Sequence, residues 1–365
     1  MLKYGGRILK SRFFGRPFYC MLRVTSRCNL RCRMCSVWKH GNKGHEMSLE
    51  EISELKDTFK KLNVSVVNLS GGEPMLREDL PDIVKIFSKD FEVRMQTNST
   101  LANEEKIKEL VKAGLKSVSI SLDTINPKKQ DFICNQRGIW YKIIEKMVLF
   151  SELMPNDGLL LSNAVVSKLN IDELPKLTIL TNKMGYATGF VPVLLSEKRE
   201  HDYAYRDYSP NMTFQKSDYH IIEKSYTELI KMKKEGYRIF NSTKFLQESI
   251  KFFKGGFRWK CDAGKLYFLV DYDGSFLPCT ELSKIGSVLD ADFVKKFDSN
   301  NFRKIVEDKV ANCPNCMHPC YVESSKLMHD NAVSLEKFKV FLNLKLKKRD
   351  FIDYEQAIKY ADFNS

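Results

Sequence analysis

The chain has 365 residues, 43% of them hydrophobic and 29% charged, and its formal net charge is +13. It has no run of about 18 apolar residues and no apolar core of a secretory signal at its N-terminus, so we expect neither a transmembrane helix nor a secreted protein. Ten cysteines without a secretion signal indicate a reducing compartment, where cysteines bind metals more often than they form disulfides. We therefore expect a cytoplasmic protein.

The excess positive charge is partly localised at the two ends of the chain. Basic residues with no acidic residue among them precede the first predicted strand: Lys3, Arg7, Lys10, Arg12 and Arg16. A second basic cluster lies near the C-terminus: Lys345, Lys347, Lys348 and Arg349. Because apolar residues adjoin both clusters, each could form an amphipathic helix on an anionic membrane, which would make the protein peripheral. The alternative is a basic arm that packs on the exterior of the fold.

The first predicted strand, at 19–24, is followed by three cysteines within eight residues: Cys28, Cys32 and Cys35. A loop that short brings its three thiols to one centre. Three ligands are one too few for a closed tetrahedral zinc site and one too few for a fully ligated iron–sulfur cluster. Either a distant Cys or His completes a zinc site, or one metal position stays open for chemistry.

The following 160 or so residues alternate between predicted strands and helices. Ser48 and Glu51 form a capping box that begins a helix ending near residue 62, and Gly114 and Gly185 end two later helices. The further strands are predicted at 64–69, 91–97, 117–122, 159–166 and 186–195. The further helices are predicted at 80–87, 104–113, 141–153 and 173–184. Such alternation implies parallel βαβ units, so we predict an α/β fold with a partial (β/α)6 TIM-like barrel.

Polar residues and glycines follow the second, third and fourth strands, at the barrel edge where active sites form. They are Gly71, Gly72, Glu73 and Pro74, then Asn98, then Ser121 and Asp123. Two successive glycines let the backbone approach a ligand closely, and Glu73 supplies a carboxylate next to it. Asn and Asp after a strand are also common as turn residues or helix caps.

The spacing Cys28-x3-Cys32-x2-Cys35 after a strand, with Gly-Gly-Glu-Pro one βα unit later, resembles the signature of radical S-adenosylmethionine (SAM) enzymes. The resemblance implies that the three cysteines hold a [4Fe–4S] cluster whose fourth iron chelates SAM. It also implies that the cluster reductively cleaves SAM to methionine and a 5′-deoxyadenosyl radical, which abstracts hydrogen from a substrate.

The same resemblance implies which residues contact SAM. The Gly71–Pro74 stretch would bind its amino group, and Asn98, Ser121 and Asp123 would contact its ribose and carboxylate. Met34 stands where the family prefers an aromatic residue, just before the third cysteine, and we include it among the cofactor-binding residues. No protein nucleophile is required, and we identify no further catalytic residue.

A second cysteine set lies downstream: Cys261, Cys279, Cys313, Cys316 and Cys320. Its opening, Cys261-x12-Gly274-x4-Cys279, resembles that of the SPASM and Twitch auxiliary-cluster domains. The resemblance implies one auxiliary [4Fe–4S] cluster with four of these thiolates, and Cys320 is either spare or replaces one of the others. A structural zinc knuckle is the alternative. Cys20 and Cys134 match no pattern and are expected to be ordinary buried residues.

These observations predict four segments: a basic arm at 1–16, a radical SAM partial barrel at 17–235, a small cysteine-rich SPASM/Twitch-like auxiliary-cluster domain at 236–330 and a helical C-terminal tail at 331–365. The polar and aromatic stretch 198–219 is expected to form a lid over the barrel or a surface loop.

We therefore expect a radical SAM enzyme, an oxidoreductase or transferase, with a lipid or other small molecule as substrate and a reducing partner such as ferredoxin or flavodoxin. Two alternatives are a peptide-modifying SPASM enzyme and a sugar or alcohol dehydrogenase of the Twitch type. A zinc-bound nucleic-acid-binding protein is the non-enzyme alternative. It explains neither Gly-Gly-Glu-Pro nor the βα alternation, so we expect no nucleic-acid partner.

Overall fold

The computed structural model describes residues 5–40, 44–193, 212–313, 315–346 and 350–364. Most of the predicted lid at 198–219 lies outside these ranges, and so do the side chains of the second basic cluster. No helix in the described part of the chain combines the length and the hydrophobicity needed to cross a membrane.

Six parallel strands form the core of the fold, in the order β6-β5-β4-β3-β2-β1. They are β1 (Tyr19–Thr25), β2 (Val66–Gly71), β3 (Glu92–Thr97), β4 (Ser117–Ser121), β5 (Leu159–Val166) and β6 (Ala187–Pro192). The helices that follow β1 to β5 are α2 (Leu49–Lys61), α3 (Leu80–Ser88), α4 (Glu104–Ala113), α5 (Pro127–Cys134), α6 (Ile139–Leu153) and α7 (Leu174–Lys183). This sheet confirms the predicted partial (β/α)6 barrel.

Local sequence signals set the ends of several of these helices. The predicted capping box is present at the start of α2, where the Ser48 side chain accepts a hydrogen bond from the Glu51 backbone and the Glu51 side chain accepts one from Ser48. Gly114 ends α4 in the left-handed conformation, at a φ of 109°. Between sheet and helices, the rings of Phe59, Phe87 and Phe91 pack within 6.3 Å of one another. They form part of the core that holds the strand ends in place.

The sheet does not stop at β1 but continues into the cysteine-rich region. Strand β7 (Tyr267–Val270) pairs parallel to β1, so that Tyr19 lies opposite Tyr267. Strands β8 (Ser275–Leu277) and β9 (Gly286–Ser287) then extend the sheet in antiparallel fashion. The proposed segment boundary at 235/236 falls between α8 (Tyr219–Lys234) and α9 (Thr243–Phe253). The cysteine-rich region is therefore joined to the barrel by backbone hydrogen bonds as well as by the chain.

The remaining helices follow this extension in the chain, and the last of them packs against α6 and α7. They are α10 (Phe293–Asp298), α11 (Asn300–Ala311), α12 (Pro319–His329), α13 (Asn331–Leu346) and α14 (Tyr354–Asn364). Helix α13 packs next to the barrel interior: its Phe341 ring lies 5.7 Å from that of Phe240 and 5.4 Å from the Arg94 guanidinium of β3. The predicted helical tail is thus two helices, and α13 covers the interior of the sheet at the amino ends of the strands.

The N-terminal arm forms helix α1 (Gly5–Phe14), and its arginines contact the barrel. Arg7 donates hydrogen bonds to the carbonyls of Val64 and Asp90, both at 2.9 Å. Arg16 pairs with Asp298. These contacts match the prediction of an arm packed on the exterior of the fold, while Phe13 and Phe14 stay 73% and 77% exposed.

Candidate functional site

The three-cysteine loop leaves β1 at the carboxyl edge of the sheet and is held by backbone hydrogen bonds. The Cys32 carbonyl accepts hydrogen bonds from the Cys35 amide (3.2 Å) and the Trp38 indole (3.3 Å). The Arg33 amide donates to the carbonyl of Ile133, at the end of α5 (2.9 Å). Burial, together with the nearby Glu73 and Cys35, raises the pKa of the Cys28 thiol to about 12. The loop therefore presents three half-buried thiols within eight residues: Cys28, Cys32 and Cys35.

The two glycines after β2 bring that turn against the start of the cysteine loop. The Gly72 amide donates to the Thr25 carbonyl (2.9 Å), and the Glu73 amide donates to the Arg27 carbonyl (2.8 Å). A Cβ on Gly71 would lie 2.3 Å from the Thr25 oxygen, and one on Gly72 would lie 2.0 Å from the Arg27 oxygen. Only glycine fits at both positions, because the opposing atoms are backbone atoms that cannot rotate away.

The Glu73 carboxylate is fully buried and joins the second strand to the third. It accepts hydrogen bonds from the Thr97 hydroxyl (2.6 Å), the Asn98 amide (2.8 Å) and the Met75 amide (3.1 Å). Burial raises the pKa of Glu73, and these hydrogen bonds act against that rise. Its side chain therefore orders the turn, and what the turn exposes is the half-buried backbone of Gly71 and Gly72.

Asn98 links the end of β3 to the cysteine loop. Its side-chain amide donates to the Asn29 side chain (2.9 Å), and Asn29 donates to the Thr100 hydroxyl (2.8 Å). The Thr100 amide and hydroxyl in turn donate to the Asn98 side-chain oxygen (3.0 and 2.7 Å). Asn29 lies between the first two cysteines, and the sequence reasoning overlooked it although it stands inside the motif.

The two polar residues at the end of β4 have different environments. Ser121 is exposed, whereas the Asp123 carboxylate is buried and accepts hydrogen bonds from the Val165 amide (2.8 Å) and the Gln130 side chain (3.4 Å). Burial raises the pKa of Asp123 to about 6. The Asn170 side chain also binds the Asp123 carbonyl (2.6 Å). The hydrogen bonds of Asp123 therefore connect the end of β4 to β5 and α5. Of the two residues, only Ser121 has an exposed side chain.

Met34 and Pro74 are both buried near this edge of the sheet. Pro74 begins a short 3₁₀ helix, Pro74–Leu76, and contributes no polar side chain. Met34 packs in an apolar cluster with side chains from α5, β5, β6 and the residues around them: Ile133, Val165, Val191, Val193 and Met212. This cluster forms an apolar wall next to the cysteine loop.

A profile of the family described as the radical SAM superfamily matches residues 22–178. Residues 22–178 are a radical SAM domain. The match contains the cysteine loop, the Gly-Gly-Glu-Pro turn, Asn98, Ser121 and Asp123. The predictions of a radical SAM enzyme and of its cofactors, a [4Fe–4S] cluster and SAM, are confirmed at the level of this domain.

The curated relatives of the radical SAM domain include GTP 3′,8-cyclases. The chain is 43% identical over 110 residues to a probable GTP 3′,8-cyclase of Archaeoglobus fulgidus, which is 30% of this chain and 37% of that protein. It is 31% identical over 175 residues to the GTP 3′,8-cyclase of Aquifex aeolicus, which is 46% of this chain and 54% of that protein. The chain thus spans about half or less of the length of these relatives.

Solved structures resemble the chain beyond the radical SAM domain. Streptococcus suis SuiB bound to S-adenosylmethionine has a TM-score of 0.61 at 16% identity, covering 86% of this chain and 74% of that one. The anSMEcpe structure with bound AdoMet and a Cp18Cys peptide has a TM-score of 0.59 at 16% identity, covering 95% of this chain and 99% of that one. At this identity the likeness shows the fold alone, and it includes the cysteine-rich extension.

The donor set of the radical SAM domain fits an iron–sulfur cluster with one open iron. In the described residues, no three His, Cys, Asp or Glu side chains are grouped closely enough to hold a single metal ion. The fit therefore rests on chemistry: three thiols on one short loop, with no imidazole or carboxylate interspersed, suit a cluster in which each thiolate binds a different iron. The glycine turn beside them leaves backbone available to a ligand of the fourth iron.

Cys134 is a further thiol at this site that the sequence reasoning treated as ordinary. It lies at the end of α5, within hydrogen-bonding distance of Cys32, and this contact raises the pKa of Cys32. The Gln130 side chain donates to the Cys134 sulfur (3.2 Å). No motif spacing could have predicted this contact, because 101 intervening residues separate the two cysteines.

The downstream cysteines divide into a group of four and one that stands apart. A cavity of about 750 Å³ is lined by four of them: Cys261, Cys279, Cys313 and Cys316. Burial raises the pKa of Cys316, and the other three thiols of this group raise it further, so the four lie near one another. The Glu281 amide also donates to the Cys279 sulfur (3.3 Å).

Cys320 packs against the same apolar cluster as the other four cysteines but lines a different cavity. Its sulfur accepts a hydrogen bond from the Tyr19 hydroxyl (3.5 Å), and it faces the interior of the barrel. Of the two roles left open for Cys320, the geometry matches the spare one.

Neighbouring strands turn polar side chains toward the barrel interior, and apolar side chains such as Phe240, Phe338 and Phe341 line the same cavity. A cavity of about 190 Å³ is bordered by Asn68 of β2, Gln96 of β3, Ser119 of β4 and Asn163 of β5. The Asn163 amide donates to the Ser119 hydroxyl at 2.6 Å. These residues alternate with apolar ones along each strand, as side chains on opposite faces must. The alternation was visible in the sequence and could have predicted a polar interior.

Proposed function

We propose that the chain is a radical SAM enzyme that acts on a small, polar and largely uncharged molecule held inside the barrel. The observation that carries this proposal is the polar strand wall of the interior, formed by Asn68, Gln96, Ser119 and Asn163. Amide and hydroxyl groups on four successive strands suit hydrogen bonds to hydroxyl or amide groups of a ligand. A cavity of about 190 Å³ is also below the ≈ 300–1,000 Å³ of typical drug-sized ligand sites.

The charges in the described part of the interior are paired. Arg23 lies 3.4 Å from Asp271, and Arg94 lies 2.7 Å from Glu92. Lys337 lies 3.2 Å from Glu323. Paired cations offer less attraction to a polyphosphate than unpaired ones do, because each positive charge is already compensated. This favours a neutral polar substrate.

A second candidate is GTP cyclisation, which the curated relatives favour by name and by up to 43% identity. The paired charges described above count against it, and the matched region covers about half or less of those proteins. A lipid substrate finds less support than either. The strands turn polar side chains toward the interior, and Arg7 and Arg16 of the N-terminal arm make contacts within the protein.

Within this proposal the residues of the chain hold and orient the cofactors. Cys28, Cys32 and Cys35 would bind the [4Fe–4S] cluster, which together with SAM supplies a 5′-deoxyadenosyl radical for hydrogen abstraction. Glu73 keeps the Gly71–Gly72 turn against the cysteine loop through its hydrogen bonds to Thr97, Asn98 and Met75. The apolar cluster around Met34 excludes water from this edge of the sheet.

The group of four downstream thiols would hold one auxiliary [4Fe–4S] cluster. Their shared cavity supports this assignment, because four thiolates complete such a cluster. A zinc knuckle is the competing assignment. The segment boundaries 1–16, 17–235, 236–330 and 331–365 remain part of the proposal, with the qualification that β7 joins the third segment to the barrel sheet.

The test is anaerobic reconstitution followed by measurement of iron and of 5′-deoxyadenosine. We expect about eight irons per chain and dithionite-dependent formation of 5′-deoxyadenosine. Absence of 5′-deoxyadenosine from fully reconstituted protein would refute the radical SAM activity. Zinc in place of half of the iron would refute the auxiliary cluster.

The interior site is tested with a metabolite extract that is screened for molecules that stimulate 5′-deoxyadenosine formation. Gln96→Leu and Asn163→Leu should form 5′-deoxyadenosine at the wild-type rate without substrate, but the substrate should no longer stimulate that formation. The reason is that both side chains line the interior cavity and neither belongs to the cysteine loop. Stimulation by GTP, and by no neutral compound, would favour the second candidate. Stimulation that is unchanged in both variants would place the substrate elsewhere.

A further inference from the structure

The cavity lined by four thiols opens to the surface through a group of basic side chains. Four exposed cations border it, and we call them the basic rim: Arg258, Lys260, Lys265 and Arg303. Of the acidic residues that line the same cavity, Asp262 and Glu281 are buried and Glu307 is exposed. The outward-facing charge around the opening is therefore strongly positive.

The acidic neighbours of the rim compensate only part of this charge. Asp298 contacts Arg16 and lies 3.9 Å from Arg303. Because the Arg303–Asp298 ion pair is long and exposed, it contributes little free energy. Asp262 is occupied by His329 at 3.0 Å. A field of this kind attracts a negatively charged partner and speeds the encounter with it.

An aromatic side chain lies at the edge of the basic rim. Phe14 lines the same cavity and is 77% exposed, and its neighbour Phe13 is 73% exposed. Exposed aromatic residues beside charged ones are typical of protein interfaces, in which the aromatic ring is covered and the charges remain at the periphery. A small anion would not cover these rings, so the combination fits a macromolecular partner better.

We propose that the basic rim, with Phe14 at its edge, is the docking face for an acidic one-electron carrier protein. This inference rests on the auxiliary cluster of the proposed function, because a cluster under this opening would lie beside the docked carrier. The four thiols border the cavity itself, and electron transfer weakens steeply with distance. A transient interface of the small size seen in redox complexes is sufficient.

The test measures binding of a bacterial flavodoxin, an acidic flavoprotein, to the reconstituted full chain at low and at high salt. The face variant is Lys265→Glu with Arg303→Glu, two exposed positions that are not adjacent to a cysteine. The control variant is Lys112→Glu with Lys234→Glu, on α4 and α8, which changes the net charge by the same amount on exposed surfaces away from the rim. The iron content of both variants is measured first.

We expect the wild-type chain to bind flavodoxin with an affinity that falls as salt rises. The face variant should bind about tenfold more weakly or worse, and the control variant should stay within about twofold of the wild type. Equal weakening in both variants would mean that net charge alone acts, and the inference would be wrong. The inference would also be wrong if the wild type does not bind flavodoxin. A second measurement compares acetylation of Lys260 and Lys265 with inorganic phosphate or flavodoxin present. Protection by phosphate and not by flavodoxin would likewise contradict the inference.

Dithionite separates this inference from the proposed function. It is a small reductant that needs no docking face, so 5′-deoxyadenosine formed with dithionite tests the radical SAM activity alone. Failure with dithionite contradicts the proposed function. Success with dithionite, together with unchanged flavodoxin binding in the face variant, contradicts only the docking face.

Discussion

The close approach of Gly72 to the cysteine loop makes Gly72→Ala the sharpest test of the site's architecture. A Cβ at this position would lie 2.0 Å from the Arg27 oxygen, 2.5 Å from the Arg27 carbonyl carbon and 3.0 Å from the Cys28 amide nitrogen. All three are backbone atoms, so no change of rotamer relieves the contact. The turn must move away from the loop, and the loop carries the first cysteine.

The expected loss of stability follows from two effects. Overpacking typically costs about 1–3 kcal/mol, and the amide hydrogen bonds of Gly72 and Glu73 to the loop contribute about 1 kcal/mol each. If one of these bonds breaks, the free energy of unfolding should fall by about 2–4 kcal/mol. Urea unfolding of the anaerobic apoprotein measures this fall, and iron analysis after reconstitution reports whether the cysteine loop still binds its cluster.

Gly286→Ala is the matched control. Gly286 lies in β9 with open space around its Cβ position and without the positive φ that disfavours alanine. Its substitution should change stability by less than about 0.5 kcal/mol and leave the iron content unchanged. Gly72→Ala could instead unfold at the same urea concentration as the wild type and retain its full iron content. In that case, close packing of the glycine turn against the cysteine loop is not what positions Cys28.

Three further predictions concern side chains that form hydrogen bonds within the protein or line one of the two cavities. Glu73→Gln keeps the volume but turns an NH₂ group toward backbone or hydroxyl donors, so it should cost about 1–3 kcal/mol in urea unfolding and weaken SAM binding in calorimetry. Cys316→Ser should remove about half of the reconstituted iron and Cys320→Ser should remove none, because Cys320 faces the barrel interior; equal iron loss in both would contradict the division of the thiols. Arg7→Ala should lower the free energy of unfolding by about 1–3 kcal/mol, because it removes the hydrogen bonds to Val64 and Asp90. The wild-type chain should not bind anionic liposomes at low salt, and strong binding would favour an arm that lies on a membrane.

Local signals predicted most of the barrel. The helix at 104–113, its glycine stop and the strand at 159–166 agree with the structure to the residue, since each has a clear apolar period and a clear boundary. Helix α5 was not predicted, because the segment from Pro127 to Cys134 carries little apolar periodicity. Strands β7 to β9 are only two to four residues long and were missed for a similar reason.

The contents of the candidate site were predicted unevenly. The cysteines and the glycine turn were found because their chemistry depends on spacing along the chain. The supporting contacts of Asn29 and Cys134 depend on residues far away in sequence, and Glu73 and Asp123 proved to be buried in hydrogen bonds within the protein. Short-range patterns contain no information about which long-range partner a side chain meets.

The sequence by itself determined the class of protein and its donor sets, because three thiols in eight residues and a Gly-Gly-Glu-Pro turn constrain chemistry locally. The tertiary structure decided which thiols share a cavity and which side chains line the interior of the barrel. The group of four lines one cavity and Cys320 lines another, and strand pairing brings Asn68, Gln96, Ser119 and Asn163 together. These outcomes depend on strand order and register, which are set by packing across the whole fold.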